Sequence, residues 1–223
     1  MLVNKDYDRE RATAYARRWA LSRNPLYFDY AGIGGNCTNF VSQSLYAGSC
    51  TMNYTPTFGW YYLSPAERTA SWTGVNYFYN FLTGNRGPGP YGREVAREEL
   101  EPGDVIQLGR NAGGYYHSLL LLSRGEDGEL YIAAQSNDAL DRPLSSYEYD
   151  FARYLHVDGV RLFIPDTDDC FASLIAGEAI LPSEASRPPV RPEETPPAQE
   201  APPEGDLPPD AETPSEAGQT SEG

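Results

Sequence analysis

The spacing of apolar residues changes partway along this chain, and this change restricts the possible folds more than any other feature. Residues 7–22 carry apolar side chains at i, i+3, i+4 and i+7 with arginines on the opposite face, which predicts an amphipathic helix buried through Ala12, Tyr15, Ala16 and Trp19. Asn24-Pro25 ends it, because proline disfavours helical geometry in the residue before it. Helical spacing also predicts a second helix from about Cys37 to Ala47-Gly48 and a short third helix over residues 74–82.

From residue 105 onward the apolar residues occur in short runs separated by glycines and charged turns, which is typical of antiparallel strands. The predicted strands cover residues 105–108, 118–122, 130–134 and 154–164, the last as one strand or a pair. A tight turn at Asp127-Gly128 would pair residues whose numbers sum to 255 and set His117 opposite Asp138, and one residue more or fewer in the turn would change the face. Helices followed by a sheet predict an α+β fold.

The C-terminal segment differs in composition from the rest of the chain. Residues 182–223 hold 11 of the 19 prolines, ten acidic residues, two arginines and no aromatic residue. Such a segment cannot bury enough apolar surface to offset its ordering entropy, so we expect a disordered tail, which could tether the protein or dock an unidentified partner. Residues 1–181 suit one domain with a sizeable core.

Charge and hydropathy exclude several classes of protein. The net charge is −15, and because an excess of acid repels phosphate backbones, no nucleic-acid partner is expected. No run of about 18 apolar residues occurs, so no membrane span is expected. The first residues lack the charged-then-apolar order of a signal peptide, so the expected location is cytoplasmic, or secreted if the native chain carries an export signal.

Three cysteines, Cys37, Cys50 and Cys170, form an odd set at wide spacing. This spacing predicts neither a disulfide framework nor a zinc site, and no metal or cofactor is expected in a chain with two histidines. Cys50 and Cys170 lie in no activating pattern and are expected to be inert thiols in a reducing compartment.

Cys37 has the sequence context of a nucleophile. It follows the glycine-rich turn 32–35 and opens a predicted helix, whose unpaired amides and macrodipole favour a thiolate and can hold an oxyanion. The alternative is a small buried apolar residue. A thiol nucleophile needs a base, and His117 stands at the start of a predicted strand that could face this helix terminus. His156 lies in a strand-like stretch without a polar pattern and is interpreted as structural.

Motifs in sequence order resemble the bacterial putative amidase domain family: Tyr7-Asp8-Arg9 through Trp19, Asn24-Pro25-x-Tyr27, Gly35-Asn36-Cys37-Thr38-Asn39-Phe40-Val41-Ser42-Gln43, Ser71-Trp72, Gly103-Asp104-Val105-Ile106-Gln107-Leu108 and the strand that starts at His117-Ser118. The resemblance covers roughly residues 7 to 160 and extends to the papain-like group with CHAP and NlpC-type cell-wall hydrolases. It implies a cysteine that opens a helix packed on an antiparallel sheet, a histidine on the next strands and a third polar residue that orients the imidazole.

The resemblance places this third residue at Gln135, whereas the strand pattern alone leaves Asn137 and Asp138 open. This chain departs from the family's usual pattern at two positions: Asn36 stands where aspartate is common, and Gln135 stands where histidine is common. Four residues are candidates for shaping the site or packing beside it: Asn36, Asn39, Gln43 and Trp72. Asp104 is expected to brace the turn that enters its strand.

These features predict a papain-like thiol hydrolase of C–N bonds, an amidase or peptidase that acts on a peptide or amide substrate. Cys37 would form an acyl-thioester, with His117 as general base and acid. The wider group suggests peptidoglycan-type peptides as substrates. The competing interpretation is a non-catalytic binding module on the same fold, in which Cys37 is idle.

Overall fold

The computed structural model describes residues 1–163 and 169–178 and has the expected α+β architecture. The strands are β1 (Leu2–Lys5), β2 (Gly89–Val95), β3 (Val105–Arg110), β4 (Gly114–Arg124), β5 (Leu130–Ala134), β6 (Ala139–Pro143) and β7 (Phe151–Phe163). The helices are α1 (Arg9–Trp19), α2 (Cys37–Ser49), α3 (Ala70–Thr73), α4 (Val75–Gly84) and α5 (Phe171–Ala176). Short 3₁₀ turns lie at Arg97–Glu99 and Leu144–Ser146.

All seven strands form one antiparallel sheet in the order β1-β7-β3-β4-β5-β6, with β2 also paired to β7. The long strand β7 pairs with β2 along one edge. Along its other edge it pairs first with β3 and then with β1. Strand β4 therefore lies inside the sheet, between β3 and β5.

Helix α1 shows how local sequence determines an element. The side chain of Asp8 accepts a hydrogen bond from the Arg11 amide at 2.9 Å and caps the helix. The buried residues are the four that the spacing predicted: Ala12, Tyr15, Ala16 and Trp19. This face packs against α2, which is buried along nearly its whole length.

Two apolar clusters lie on opposite faces of the sheet. One contains the helices, with Trp60, Trp72 and Phe40, and the strand residues Leu120 and Leu122. The other contains Leu119 and Leu121 with the 3₁₀-turn residue Leu144, among others. Alternation along β4 thus sends successive side chains into two different layers.

Three strands were absent from the sequence prediction, and one turn was predicted wrongly. Strands β1, β2 and β6 were missed, so the helices do not all precede the sheet, and residues 154–163 belong to the single strand β7. In the β4–β5 hairpin Arg124 pairs with Leu130 and Leu120 with Ala133, with a bulge between. Five residues therefore separate the strands, so the two-residue turn and the pairing of His117 with Asp138 are wrong.

The cysteine prediction also needs correction. Cys50 and Cys170 form a disulfide bond across 120 residues of sequence, so they are not free thiols. Cys50 follows α2 and Cys170 precedes α5, so the bond fastens α5 to the end of α2. Their wide spacing concealed the bond, because only the tertiary fold brings the two residues together. Cys37 is the free cysteine and is buried.

The predicted disordered tail, residues 182–223, lies outside the described residues, as does the boundary at residue 181. Among the described helices, none combines the length and the apolar character that crossing a bilayer requires.

Candidate active site

Cys37 and His117 border the same cavity, which has a volume of about 540 Å³. Both residues are largely buried, with exposed fractions of 6% for Cys37 and 7% for His117. The cavity lies where the start of α2, the start of β4 and the segment after β6 meet. Its lining also includes Gly34, Gly35, Arg110, Tyr116, Ser136, Asn137, Arg142, Ser146, Tyr147 and Glu148.

The turn before α2 presents Cys37 to this cavity. Gly34 and Gly35 have φ values of 96° and 104°, which side chains other than glycine rarely adopt. The chain then enters α2 with Cys37 as its first helical residue, and no side chain caps this terminus. The amides of the first turn, which have no partner inside the helix, and the positive end of the helix dipole therefore lie at the terminus that carries the thiol.

One hydrogen bond fixes the start of α2 against β4. The hydroxyls of Thr38 and Ser118 lie 3.0 Å apart, and Ser118 also accepts a hydrogen bond from Gln107 Nε2 at 3.1 Å. Cys37 and His117 are the residues immediately before this pair, so the contact brings the two elements together at the site. Strand alternation turns His117 to the face of β4 that also carries Leu119.

The Cys37 thiol and the His117 ring line the same cavity but form no hydrogen bond with each other within the described residues. Cys37 Sγ contacts Thr38 Oγ1 at 3.8 Å. The His117 ring lies between aromatic rings, with centroids 6.0 Å from both Tyr116 and Tyr147. Catalytic hydrogen bonds are often long before substrate binds and tighten in the complex.

The environment of His117 favours its neutral form. Burial, and secondarily the positive charge of Arg142, lower the pKa of His117 from 6.5 to about 4. A neutral imidazole can accept a proton from a thiol, but a pKa this low makes it a weaker base than an ordinary histidine.

We expect this shift to make folding stability depend on pH. Because the folded-state pKa lies below 6.5, the unfolded chain binds the proton first, so the contribution is complete above about pH 6.5 and is lost as pH falls toward 4. Wild type should lose about 2 kcal/mol more free energy of unfolding than His117→Gln between about pH 7 and pH 5. Urea denaturation at each pH measures this difference. Parallel stability curves for the two proteins would contradict it.

Gln135, the predicted orienting residue, makes no hydrogen bond to His117 within the described residues. Its Nε2 donates to the carbonyls of Trp19 and Ser22, both at 2.8 Å, and its Oε1 accepts from Asn36 Nδ2. Both ends of this buried amide are therefore occupied. Gln135 instead ties the end of α1 to Asn36, the residue before Cys37.

We expect Gln135→Ala to act mainly on stability. The change leaves two carbonyls and the Asn36 amide without their partner, which should lower the free energy of unfolding by about 2 kcal/mol. Asn137→Ala is the matched control, because Asn137 is exposed and its change should stay within about 0.5 kcal/mol. Chemical denaturation of both variants compares them. A Gln135→Ala protein as stable as wild type but slow in turnover would restore the orienting role.

The two alternatives for the third residue also lie apart from the His117 ring. Asn137 lines the cavity but makes no hydrogen bond within the described residues. Asp138 forms an ion pair with Arg23 at 2.8 Å on the surface. No polar side chain in the described part of the chain hydrogen-bonds to His117, so aromatic packing holds the ring.

The four predicted site-shaping residues lie behind the cavity rather than in its lining. Asn36 Oδ1 accepts from the Tyr30 amide at 3.0 Å and from Asn39 Nδ2 at 2.8 Å. Asn39 Oδ1 in turn accepts from Trp72 Nε1 at 2.9 Å. Gln43 accepts from the Tyr15 hydroxyl at 2.7 Å. This buried network holds the start of α2 and explains how an asparagine fits before the cysteine.

Asp104 has the expected bracing role, and His156 belongs to the same cluster. The Asp104 carboxylate accepts from the Glu101 and Val157 amides, at 2.8 Å and 3.0 Å. It also pairs with Arg9 at 2.7 Å and His156 Nδ1 at 2.8 Å. Neither Asp104 nor His156 lines the cavity.

Several residues of the cavity lining were not predicted from the sequence, among them Ser136, Arg142 and Tyr147. Ser136 has a φ of 84°, and its hydroxyl accepts from the Asn36 amide. Arg142 places its guanidinium 4.0 Å from the Tyr147 ring centroid. The Tyr147 hydroxyl is buried without a hydrogen bond. None of the three lies in a recognisable local motif. The one usable signal was Arg142, an arginine that stands close in sequence to Tyr147 and Tyr149 in an acidic chain.

Within residues 1–163 and 169–178, no group of three or more His, Cys, Asp or Glu side chains is arranged to hold a metal ion.

Comparison with known proteins places the chain in a family context. The family described as "Putative amidase domain" matches residues 6–157. The uncharacterized protein YhbB of Bacillus subtilis (strain 168) is 31% identical over 136 residues, which is 60% of this chain. The aligned part spans 42% of YhbB's own length. No solved structure matches the chain.

Proposed function

This chain belongs to the Putative amidase domain family, and from that membership we propose that it is a thiol-dependent amidase or peptidase. The family indicates amide hydrolysis at a coarse level. The thiol mechanism, the residues and the substrate are our proposal. The observation that carries it is the shared cavity of Cys37 and His117.

In the proposed reaction, Cys37 attacks the carbonyl carbon of an amide as its proton passes to His117. The amide nitrogen takes this proton and leaves as an amine, and an acyl-thioester remains on Cys37. Water, deprotonated by His117, then attacks the thioester, releasing the acid and restoring the thiol. The uncapped amides at the start of α2 are the candidate donors to the oxyanion.

The low pKa of His117 sets its protonation state at each stage of this reaction. With a pKa of about 4, the imidazole is neutral at pH 7 and can take the thiol proton. The accepted proton then faces an unfavourable environment, because burial and Arg142 both oppose the imidazolium. Rapid transfer to the leaving amine follows from that instability.

The competing hypothesis, a non-catalytic binding module, rests on the missing hydrogen bond between Cys37 and His117. Iodoacetamide distinguishes the two, because only a thiol activated by a base should react rapidly at neutral pH. Modification of Cys37 in the folded protein, identified by mass spectrometry, supports the enzyme. Modification only after unfolding supports the binding module.

The substrate is best sought with a panel of peptide amides and peptidoglycan fragments. Wall peptides enter the panel because the papain-like group includes wall hydrolases, and other peptides enter because the cavity itself sets no polymer class. Release of new amino groups, followed with an amine-reactive dye, measures the activity. No release from any member would reject the proposed reaction.

A further inference from the structure

The cavity carries positive charge that the proposed mechanism does not use. Arg110 and Arg142 both line it, and neither forms an ion pair with another described residue. Arg142 donates from Nε to the Ser146 hydroxyl at 2.8 Å and from its terminal nitrogen to the Ser146 carbonyl at 3.0 Å. A guanidinium has five N–H groups, so Arg142 keeps donors for a ligand.

These contacts also hold Arg142 in place. Its guanidinium lies over the Tyr147 ring, and its charge contributes to the low pKa of His117. Arg142 therefore lies close enough to the proposed base for their charges to interact. Arg110 is more loosely held, with a 3.5 Å contact to the Glu148 carbonyl.

Glu148 and Tyr147 also contribute polar groups to the lining. Glu148 is the one acidic side chain among the cavity residues, so two cations face one anion in a protein whose net charge is −15. The Tyr147 hydroxyl is buried without a partner and can donate one hydrogen bond. A buried donor without an acceptor is costly, so a ligand that supplies the acceptor gains binding energy.

We propose that this site selects substrates with a carboxylate close to the scissile amide, and that Arg142 is the residue that determines this specificity. The inference rests on the proposed function and names its substrate class. Arginine and carboxylate form strong charge-assisted hydrogen bonds, and Tyr147 supplies a third donor. The negative charge of the whole protein does not oppose this, because charges beyond about 8 Å are screened at physiological salt.

Two alkylating reagents of nearly equal size test the inference without a known substrate. Iodoacetate carries a carboxylate and iodoacetamide a neutral amide. In both reactions the Cys37 thiolate forms a C–S bond as iodide leaves. The measured quantity is the ratio of the rate with iodoacetate to the rate with iodoacetamide, divided by the same ratio for N-acetylcysteine.

We expect this normalised ratio to exceed one in wild type and to fall about fivefold in Arg142→Gln. Arg142→Lys keeps the charge and should retain most of the effect. Arg93→Gln is the matched control, because Arg93 pairs with Asp158 on the surface outside the cavity. Its ratio should equal that of wild type.

The effect of Arg142 on His117 cannot produce the expected result. Removing Arg142 relieves one of the two causes that lower the pKa of His117, and a more basic imidazole would attract iodoacetate more strongly. That change would raise the ratio, whereas loss of recognition lowers it. If Arg142→Gln does not fold, Arg110→Gln tests the same site, and its normalised ratio should fall by a smaller factor.

The outcomes separate this inference from the proposed function. If Cys37 reacts rapidly with both reagents but the ratio is the same in wild type, Arg142→Gln and Arg110→Gln, the carboxylate specificity is wrong and the thiol mechanism stands. If Cys37 reacts with neither reagent in the folded protein, both proposals are wrong.

Discussion

Cys37→Ala is expected to lower amide hydrolysis by about a thousandfold or more, because it removes the proposed nucleophile. The loss corresponds to at least about 4 kcal/mol in the barrier. The thiol occupies the first position of α2 and makes one weak polar contact, with Thr38. Its removal should therefore change the free energy of unfolding by no more than about 1 kcal/mol.

Steady-state rates on the best substrate measure the expected loss of activity, and a denaturation curve measures the change in the free energy of unfolding. Cys37→Ser is a useful second variant, since it keeps a smaller oxygen nucleophile and should be almost as slow. Asn137→Ala, in the same cavity lining, should stay within about tenfold of wild type. Near wild-type turnover in Cys37→Ala would end the thiol mechanism, and inactive but unfolded protein would show that Cys37 is needed for the fold.

The sequence predicted elements whose pattern is local. The buried face of α1 follows directly from its own residues, and so does the start of α2 after two glycines. Strand β2 was missed because Gly-Pro-Tyr-Gly opens it without alternation, and its place depends on pairing with β7 residues 59 to 72 positions away. The hairpin register failed because the five-residue turn and the bulge arise from backbone geometry that composition does not encode.

The residues of the candidate site likewise fall into those with a local sequence signal and those without one. Cys37 and His117 were predicted from local signals, a glycine turn before a helix and a histidine opening a strand, and the two border one cavity. The hydrogen-bond partners of Gln135 are distant in sequence, and one of them is Asn36, 99 residues earlier. Sequence order on a strand cannot identify such a partner, since a shift of one residue changes the face. Arg142 lies near the end of β6 and Tyr147 directly after the 3₁₀ turn that follows it, so only the fold brings them to the cavity.

The disulfide gives the second large expected effect. Replacing Cys50 and Cys170 together with alanine should lower the free energy of unfolding by about 3 kcal/mol, because the bond closes a long loop in the unfolded chain. The sequence separation of 120 residues would give a larger value in the chain-entropy treatment, but measured values for disulfides cluster at about 2–4 kcal/mol. For a domain of this size the melting temperature should fall by about 6–12 °C.

The structure also indicates which element should unfold first when the disulfide is absent. Helix α5 has only six residues, and its Leu174 carbonyl accepts from Trp19 Nε1 and Asn24 Nδ2, each at 3.0 Å. Without the bond to Cys50, α5 keeps these contacts and the packing of Leu174, which are too few to hold so short a helix firmly. We therefore expect α5 to detach before the sheet unfolds, and hydrogen exchange at residues 171–176 should rise first.

Reduction offers a direct comparison with the double variant. Wild type treated with dithiothreitol should match Cys50→Ala/Cys170→Ala in its denaturation midpoint, while the double variant should not respond to the reductant. Cys37→Ala, which keeps the disulfide, should show the same drop on reduction as wild type. Because such bonds persist mainly in oxidising compartments, a stable reduced form would fit the expected cytoplasmic location. A large drop would instead favour a protein that folds and works after export. If neither reduction nor the double substitution changes the midpoint, the bond does not stabilise this fold, and the contacts of α5 with Trp19 and Asn24 and the packing of Leu174 suffice to hold it.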